Sequence, residues 1–385
     1  MKIVFVSNYY NHHQHALSQA LDRITEGKYH FVATSEMRAD RKKLGYGQWE
    51  QPNYVVLSYV SEAEKERSMR LISDADVVIA GSAPWDMIKD RIASGKLVFR
   101  YSERPLKQNN VSLRQVLHFC KTRITCGGKR KVYLLSAGAY AASDYARFGC
   151  FPCRSYRWGY FPQVNRYPEV DRLISTKETA AILWAGRFLD WKHPEMALHV
   201  ADRLKREGYS FRLDMIGTGV LSESLERFIE ENGLHDCVRL LGAMPPERVR
   251  EHMERAGIYL FTSNRQEGWG AVLNEAMNSC CAVVASHAAG SVPYLLTDLE
   301  NGMIFRSGDA EALYQKVKCL LDDPAEQKRL GRAAYDTVTQ TWNADVAAQR
   351  LVELSESILQ GETSPINSPE GPCSVAPVIN DDWYE

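Results

Sequence analysis

Short apolar runs alternate with longer amphipathic stretches along the first half of the chain. The runs have the length of β-strands and fall at 2–7, 29–34, 54–58, 76–80, 96–101 and 131–136. The stretches between them carry apolar residues at the spacing of α-helices. Strands that alternate with helices indicate β-α-β units, and therefore a parallel sheet with helices on both faces.

The second half of the chain repeats this alternation. Its predicted strands lie at 180–185, 211–216, 238–241, 257–262, 281–286 and 303–305. Its predicted helices lie at 193–207, 221–233, 245–255, 270–279, 309–322 and 325–340. The sequence thus predicts an α/β fold made of two Rossmann-like, doubly wound domains.

The domain boundary is expected in the segment 158–162, which combines aromatic residues with Gly and Pro. This places an N-terminal domain at 1–162 and a C-terminal domain at 163–342. The last amphipathic stretch, 343–360, follows the complete second sheet, so we expect a helix that crosses back to the N-terminal domain. Residues 361–385 begin with a Pro/Ser/Gly-rich segment, which predicts a disordered tail.

Composition narrows the class of protein. With 45% hydrophobic and 25% charged residues, the 385-residue chain is typical of a folded globular protein and not of a disordered or fibrous one. Its apolar runs are far shorter than the roughly 18 residues of a membrane-spanning helix, and none resembles the core of a signal peptide. We therefore expect a cytoplasmic protein.

The nine cysteines do not form a secreted disulfide framework, and the CxxC pair of Cys150 and Cys153 lacks the second pair of a zinc site.

Charge is divided unevenly between the predicted domains. Residues 1–162 hold 25 lysines and arginines against 14 acidic residues, whereas the remaining residues hold 22 against 34. The resulting net charges of +11 and −12 nearly cancel in the whole chain. A basic half favours an anionic partner, either phosphate groups or a membrane surface, with solvated helix faces as the alternative.

The strongest chemical signal lies at 262–277, where the sequence TSNRQEGWGAVLNEAM joins a predicted strand end to a helix start. Its two glycines allow a ligand close to the backbone, and free N–H groups over 269–272 would face the carboxyl edge of the sheet, which is the geometry of an anion site. Glu267 and Glu275 can accept hydrogen bonds from the vicinal hydroxyls of a sugar or a ribose. Alternatively, Glu267 caps the helix and Glu275 is a solvated helix residue.

Three further strand-end loops carry weaker signals. Arg187 and Lys192 bracket one loop and would suit a diphosphate, although loop charges are commonly just solvated. The GxG of Gly217 and Gly219 follows a strand. Residues 242–245 make a strand-to-helix turn whose backbone can face a base. The last two loops, taken singly, are more typical of plain turns.

Together these loops resemble the donor half of the retaining glycosyltransferases of family 4, among them bacterial capsular, exopolysaccharide and lipid-linked glycan glycosyltransferases. The resemblance covers about 180–345 and rests on Gly186-Arg187 with Lys192, the GxG at 217–219, the GxxP at 242–245, and Glu267-x7-Glu275, in the family's order and spacing. It implies the GT-B fold, in which two Rossmann-like domains face each other across a cleft. The N-terminal half of the chain matches the family mainly in architecture.

The resemblance implies a role for each of these residues. Arg187 and Lys192 would hold the nucleotide diphosphate. Glu267 would contact the donor hexose, and Glu275 would bind the ribose hydroxyls. The remaining donor-binding positions are Gly217 and Gly219, Ala243 and Met244 toward the base, and Gly268, Trp269, Gly270 and Ala271 beside the sugar and the distal phosphate.

The N-terminal half departs from the family at two predicted strand ends. Asn8, His12 and His13 follow the first strand, where the family usually has a glycine pair, and they are candidates for the acceptor side. Glu103 and Arg104 stand where a His-Asp type pair is usual. Glu103 would bind or orient the acceptor hydroxyl in catalysis and Arg104 would lie near phosphate, with a surface ion pair as the alternative.

The implied reaction moves a hexosyl group from a UDP- or GDP-sugar to a hydroxyl of a glycan or polyprenyl-diphosphate-linked acceptor, with retention at the anomeric carbon, in polysaccharide biosynthesis. No Asp-x-Asp follows a predicted strand, so we expect metal-independent chemistry, with the nucleotide sugar as co-substrate and no other cofactor. No nucleic acid partner is expected. Two alternatives share the fold, namely a nucleotide-sugar epimerase or hydrolase, and a non-catalytic partner subunit.

Two groups of basic residues in the N-terminal half predict attachment to an anionic membrane, which would make the protein peripheral on the inner face. The first group is Arg38, Arg41, Lys42 and Lys43. The second, on or after the amphipathic stretch 111–123, is Arg114, Lys121, Arg123, Lys129, Arg130 and Lys131. The alternative is an ordinary solvated helix face, with the core-directed side formed by Leu113, Val116, Leu117 and Phe119.

Overall fold

The computed structural model describes residues 1–37, 51–108, 111–362 and 370–384. Within these residues the chain forms two units, each built on its own parallel sheet. Unit 1 comprises Met1–Gln163 and Trp342–Asn380, and unit 2 comprises Val164–Thr341 and the residues from Asp381 onward. The break after Gln163 lies one residue from the predicted boundary, and unit 1 resumes one residue before the predicted returning helix.

The sheet of unit 1 has seven strands in the described part of the chain. They are β1 (Ile3–Ser7), β2 (Tyr29–Ala33), β3 (Val55–Leu57), β4 (Val77–Ala80), β5 (Leu97–Ser102), β6 (Val132–Ala137) and β7 (Ser155–Trp158). Their order is β3-β2-β1-β4-β5-β6-β7, with every pair parallel. The order of strands reverses between β1 and β4, and ligands of such sheets bind at the carboxyl edge beside this point.

Helices connect these strands, and polar side chains cap three of the five connecting helices that the structure describes. They are α1 (His12–Ile24), α2 (Glu62–Asp74), α3 (Trp85–Ala93), α4 (Leu113–Cys126) and α5 (Ala139–Ala146). The Asn11 side chain accepts the His13 N–H at 2.9 Å, and the Gln14 side chain accepts the Asn11 N–H at 3.3 Å. This capping box starts α1 directly at the carboxyl end of β1.

The sheet of unit 2 has six parallel strands in the order β10-β9-β8-β11-β12-β13. They are β8 (Glu178–Ala185), β9 (Arg212–Ile216), β10 (Val238–Leu240), β11 (Ala256–Phe261), β12 (Ala282–Ser286) and β13 (Met303–Phe305). The helices are α6 (Val170–Ser175), α7 (Pro194–Arg206), α8 (Ser222–Glu231), α9 (Pro246–Arg255), α10 (Val272–Asn278), α11 (Val292–Leu295), α12 (Ala310–Asp322) and α13 (Pro324–Gln340). Here the strand order reverses between β8 and β11.

The last helix, α14 (Ala344–Gln360), belongs to unit 1 and packs against α1. Asn343 caps it by accepting the Val346 N–H at 3.0 Å. Its inward face buries Leu351 and Leu354, while Arg23 of α1 forms an exposed ion pair with Asp345. None of the described helices is long and apolar enough to span a membrane.

The prediction of a disordered tail is wrong for residues 370–384. The Arg157 N–H donates to the Ser374 carbonyl at 2.7 Å, and the Cys373 N–H donates to the Arg157 carbonyl at 2.8 Å. The segment therefore runs antiparallel along β7, with Cys373 fully buried. Because β7 lies at the edge of the sheet, no further strand of the described residues pairs with its outer backbone groups, and the tail forms hydrogen bonds with them instead.

Candidate functional site

The loops at the carboxyl ends of β8, β9 and β10 are joined by backbone hydrogen bonds. The Gly186 N–H donates to the Ile216 carbonyl at 2.9 Å, and the Gly217 N–H donates to the Gly242 carbonyl at 2.8 Å. Gly217 has a φ of 142°, and a Cβ there would lie 1.8 Å from the Gly186 carbonyl oxygen. Glycine at this position thus allows neighbouring loops to meet at the edge where ligands of parallel sheets bind.

Lys192 and Glu267 form an ion pair between the loops that follow β8 and β11. Lys192 Nζ lies 2.5 Å from Glu267 Oε2, and the two side chains are only 15% and 16% exposed. Ser263 Oγ donates to the same carboxylate oxygen at 3.2 Å. Shielding from water strengthens the electrostatic interactions that these groups make. The structure therefore brings two of the predicted catalytic residues together at the point where the strand order reverses.

Hydrogen bonds that sequence analysis did not foresee hold these two loops in register. Trp184 Nε1 donates to Thr262 Oγ1 at 2.9 Å, and Thr262 Oγ1 donates to the Lys192 carbonyl at 2.6 Å. The Asn264 N–H donates to the Trp191 carbonyl at 2.8 Å. The sequence signal for Thr262 and Asn264 was their place directly after a strand. They fix the backbone of Lys192 and the loop that leads to Glu267.

Arg187 lies five residues before Lys192 on the same loop and is exposed. It forms no ion pair within the described part of the chain, in contrast to Lys192. A guanidinium in this position keeps all its donors available for an anion. The two predicted diphosphate residues therefore differ in environment, one paired and shielded and the other open to solvent.

Glu275 lies in the short helix α10 and is half-buried. Burial raises the pKa of its carboxyl group above the ordinary value, and the positive charge of Arg250 offsets part of this rise. A solvated helix residue would keep its ordinary pKa. Glu275 therefore does not fit the alternative that it is simply a solvated residue.

The segment 268–271 offers a ligand its backbone and not its largest side chain. Trp269 is fully buried, and its indole N–H donates to Asn274 Oδ1 at 2.8 Å. Gly270 has a φ of +85°, and a Cβ there would lie 2.3 Å from the Phe261 ring. This segment can thus contact a ligand only through main-chain groups, as the predicted donor role requires.

The other predicted donor positions lie in the loops after β9 and β10. Gly219 and Ala243 are exposed, and Met244 is half-buried. A Cβ at Gly219 would lie 2.3 Å from the Phe188 carbonyl oxygen, so this glycine also serves the packing of adjacent loops. The four loops named by the sequence motifs thus share one edge of the sheet of unit 2.

In unit 1 two of the predicted residues join a cluster around Tyr160. The Tyr160 hydroxyl donates to Glu103 Oε1 at 2.5 Å, and Lys107 Nζ lies 2.7 Å from Glu103 Oε2. The His13 ring stacks on Tyr160 with centroids 5.2 Å apart. Sequence analysis had treated Tyr160 only as part of the boundary segment. The cluster gives Glu103 two donors and so a fixed orientation.

His12 and Asn8 precede His13 in the chain, and the centroid of the His12 ring lies 3.8 Å from that of the His13 ring. His12 begins α1, and burial lowers its pKa to about 4, so the imidazole is neutral at pH 7. Asn8 Oδ1 accepts the Tyr9 N–H at 2.9 Å, and the Asn8 carbonyl accepts N–H groups from Thr34 and Ser35. Asn8 therefore closes the loop after β1.

Arg104, which was predicted to lie near an acceptor phosphate, forms a buried ion pair with Asp144. Its Nη2 lies 3.1 Å from Asp144 Oδ1, and the two side chains are 2% and 3% exposed. The guanidinium also lies over the Tyr140 ring, 4.7 Å from its centroid. Asp144 Oδ2 accepts the Leu106 N–H at 2.9 Å. Arg104 is therefore part of a buried structural ion pair that fastens the segment after β5 to α5.

Residues that could form a metal or redox site do not come together in the described part of the chain. No cluster of three or more His, Cys, Asp or Glu side chains suits a metal ion among these residues. Cys150 is buried and Cys153 exposed, both as free thiols, and burial raises the pKa of Cys150 to about 11. The first predicted basic group, Arg38 to Lys43, lies outside the described residues.

The chain is similar to known glycosyltransferases over its second unit. Residues 169–337 match the family model described as Glycosyl transferases group 1. The amylovoran biosynthesis glycosyltransferase AmsK of Erwinia amylovora is 30% identical over 182 residues, which cover 46% of this chain and 44% of that protein. The putative colanic acid biosynthesis glycosyltransferase WcaL of Escherichia coli is 26% identical over 183 residues, 46% and 45% of the two chains. The chain thus spans less than half the length of these curated relatives.

Solved structures match nearly the whole chain. The crystal structure of Anabaena HepE in complex with UDP has a TM-score of 0.68 at 13% identity and covers 93% of this chain and 100% of that one. The crystal structure of TarM has a TM-score of 0.70 at 11% identity, with 92% and 99% covered. At such identity the likeness shows the fold, and it confirms the predicted fold class. The chain therefore has the GT-B fold, and its second unit carries a glycosyltransferase group 1 domain.

Proposed function

We propose that the chain is a retaining family 4 glycosyltransferase that moves a hexosyl group from a UDP- or GDP-sugar to a hydroxyl of a glycan or polyprenyl-diphosphate-linked acceptor. The observation that carries the proposal is the shielded pair of Lys192 and Glu267 at the strand-order reversal of a glycosyltransferase group 1 domain. The relatives named for amylovoran and colanic acid biosynthesis support a role in polysaccharide biosynthesis. The UDP in the HepE structure supports a nucleoside diphosphate donor.

In this reaction the bond between the anomeric carbon and the diphosphate breaks, and a bond to the acceptor oxygen forms on the same face of the sugar. Negative charge grows on the leaving diphosphate, and Lys192 and Arg187 are the cations placed to neutralise it. Glu267 holds hydroxyls of the hexose. The acceptor proton passes to the leaving diphosphate, so the nucleotide serves as both charge sink and base.

In this proposal basic side chains, and not a metal ion, supply the positive charge beside the diphosphate, so we expect the reaction to be independent of metal. Because Lys192 and Arg187 neutralise the diphosphate, transfer in the presence of EDTA is expected to stay within about twofold of the untreated rate. The rate is measured with purified protein before and after chelation. Complete loss of transfer that magnesium or manganese restores would contradict this assignment.

Substitutions of the two glutamates are expected to differ in their effects on nucleotide binding. Glu275→Gln should weaken the binding of free UDP or GDP by about tenfold, because a hydrogen bond to a charged acceptor contributes roughly 1.5 kcal/mol. Glu267→Gln should leave this affinity within twofold, or about 0.4 kcal/mol, and lower transfer instead. Calorimetry with the bare nucleotide measures the difference. Equal weakening by both substitutions would show that the two roles are wrongly assigned.

We further propose that the protein is cytoplasmic and binds the anionic inner face of the membrane, where a lipid-linked acceptor resides. Between Glu103 and Asp144 the sequence holds eight lysines and arginines and no acidic residue. In α4 of this segment the exposed apolar residues are Leu113, Leu117 and Ile124, at 75%, 62% and 72%. Apolar residues with basic neighbours on one helix are typical of a helix that lies on an anionic membrane.

The geometry of α4 supports this assignment. Leu117 and Ile124 lie four and eleven residues after Leu113, which is about one and three helical turns. The three exposed apolar side chains therefore form one stripe along the helix. The basic residues beside the stripe are Arg114, Lys121 and Arg123, all exposed. Phe119 alone among the large side chains of the opposite face is fully buried. Leu113 and Leu117 therefore do not face the core, as the alternative of a solvated basic face expected of them, whereas Phe119 does.

Vesicle co-sedimentation measures the proposed attachment. Binding should require anionic lipid, decrease as salt rises, and weaken when Lys129, Arg130 and Lys131 become Ser, because each basic residue near the surface contributes about 1 kcal/mol. Leu117→Ser should also weaken it, whereas Val220→Ser, which changes a still more exposed apolar residue of unit 2, should not. Equal binding to neutral vesicles, or none to anionic ones, would instead favour a soluble acceptor.

A further inference from the structure

The C-terminal tip, residues 381–384, is attached to the carboxyl edge of the sheet of unit 2. The Asp381 carboxylate lies 3.1 Å from the Arg265 guanidinium, and its carbonyl lies 3.1 Å from His287 Nε2. The Tyr384 hydroxyl donates to Asp298 Oδ2 at 2.7 Å. Arg265 follows β11, His287 follows β12, and Asp298 precedes β13. The tip thus contacts two successive connections between strands, the one from β11 to β12 and, at both its ends, the one from β12 to β13.

The contact at His287 has a defined proton arrangement. The Ser307 N–H donates to His287 Nδ1 at 2.9 Å, so Nδ1 is an acceptor and the ring proton lies on Nε2. Nε2–H therefore donates to the Asp381 carbonyl. Burial lowers the pKa of His287 and keeps the ring neutral. Both ring nitrogens of His287 form hydrogen bonds, and these bonds fix the orientation of the ring that holds the tip.

The elements that the tip contacts are also the elements that hold Glu267. Arg265 lies two residues before Glu267 in the loop after β11. On the other side, the Gly290 N–H, three residues after His287, donates to the Glu267 carbonyl at 3.2 Å. A Cβ at Gly290 would lie 1.9 Å from the Gly268 carbonyl oxygen. Asp381 thus connects the loop of Glu267 with the segment after β12, which is itself hydrogen-bonded to that loop.

We propose that the C-terminal tip is a positioning element for Glu267, in which Asp381 acts through Arg265 and His287 and Tyr384 fastens the end of the chain to Asp298. The inference rests on the proposed function for its effect on catalysis, but its effect on the loop is independent of that function. Residues that support a reacting group in this way hold it near the productive geometry. The tip therefore determines turnover without contact with the substrate.

The test uses the chain of residues 1–385 with the double substitution Asp381→Asn and Tyr384→Phe. Hydrogen exchange of the Glu267 and Gly290 amides should become about tenfold faster, while exchange in β9 should not change. The control is Asp382→Asn, since Asp382 is 79% exposed and lies 3.8 Å from Arg306. Unchanged exchange at Glu267 in the double variant would overturn the proposal whether or not the chain transfers sugar.

Kinetics supply the second readout. In the double variant kcat should decrease by about tenfold, while calorimetric affinity for UDP or GDP stays within twofold, because only the Glu267 side of the donor site loses its support. Asp381→Glu, which keeps the charge, should recover most of this loss. A decrease in thermal stability with unchanged kcat per folded molecule would show a merely structural tip and overturn the proposal. Failure of the wild-type chain to transfer sugar would count against the proposed function alone.

Discussion

Lys192→Ala is expected to lower turnover by about 100- to 1000-fold at saturating donor and acceptor, which corresponds to about 2.7–4 kcal/mol of transition-state stabilisation. The reason is the loss of a shielded ammonium group at the position where the diphosphate gains charge. The Lys192 carbonyl accepts from the Thr262 hydroxyl and the Lys192 N–H donates to the Leu189 carbonyl; neither bond involves the lysine side chain, so the fold should be unaffected. Steady-state kinetics and the thermal unfolding of the variant measure both.

Lys205→Ala is the matched control for this substitution. Lys205 also forms an ion pair, with Asp236 at 2.6 Å, but it lies at the end of α7 and is more exposed. Exposed pairs contribute little, so this variant should keep wild-type turnover. Wild-type turnover in Lys192→Ala itself would show that the diphosphate is held elsewhere.

Asp144→Asn is expected to lower the free energy of unfolding of unit 1 by about 3–5 kcal/mol, because it leaves the Arg104 guanidinium buried without its opposite charge. The pair is almost completely shielded from water, and the same carboxylate accepts the Leu106 N–H. Urea denaturation followed through unit 1 measures the change, and nucleotide affinity should not change.

The control for this prediction is Asp345→Asn, which removes the exposed partner of Arg23 between α14 and α1. Its effect should be below about 1 kcal/mol. A change of similar size for both substitutions would mean that burial does not increase the contribution of the Arg104–Asp144 pair to the free energy of unfolding. Arg104 would then be open again to a role with phosphate.

The strands were predictable because parallel sheets covered on both faces leave continuous apolar runs in the sequence. Every strand predicted from such a run is present within two residues of its expected bounds. The strand β7 was missed because its four residues alternate between buried and partly exposed positions, with Arg157 among them. Part of what covers β7 is the segment around Cys373, more than 200 residues away, which no local pattern reveals.

The candidate site was predictable as a set of loops but not as a set of contacts. Motif spacing identified Lys192 and Glu267, yet their pairing depends on the adjacency of β8 and β11, which are far apart in sequence. Tyr160 was missed for the same reason, since its partner Glu103 lies 57 residues earlier. The buried pairing of Arg104 with Asp144 was not predictable, because a lone arginine after a strand gives no sign of a buried partner.

A panel of radiolabelled UDP- and GDP-hexoses, offered with and without a polyprenyl-diphosphate-linked glycan fraction, tests the central claim most directly. Binding, release of nucleoside diphosphate and the anomeric configuration of the product are scored for each donor. The account predicts that the chain binds one donor class, hydrolyses it slowly alone, and transfers the sugar with retained configuration when acceptor is present. Absence of binding to every nucleoside diphosphate sugar, product that forms equally without acceptor, or an inverted anomeric centre would contradict it.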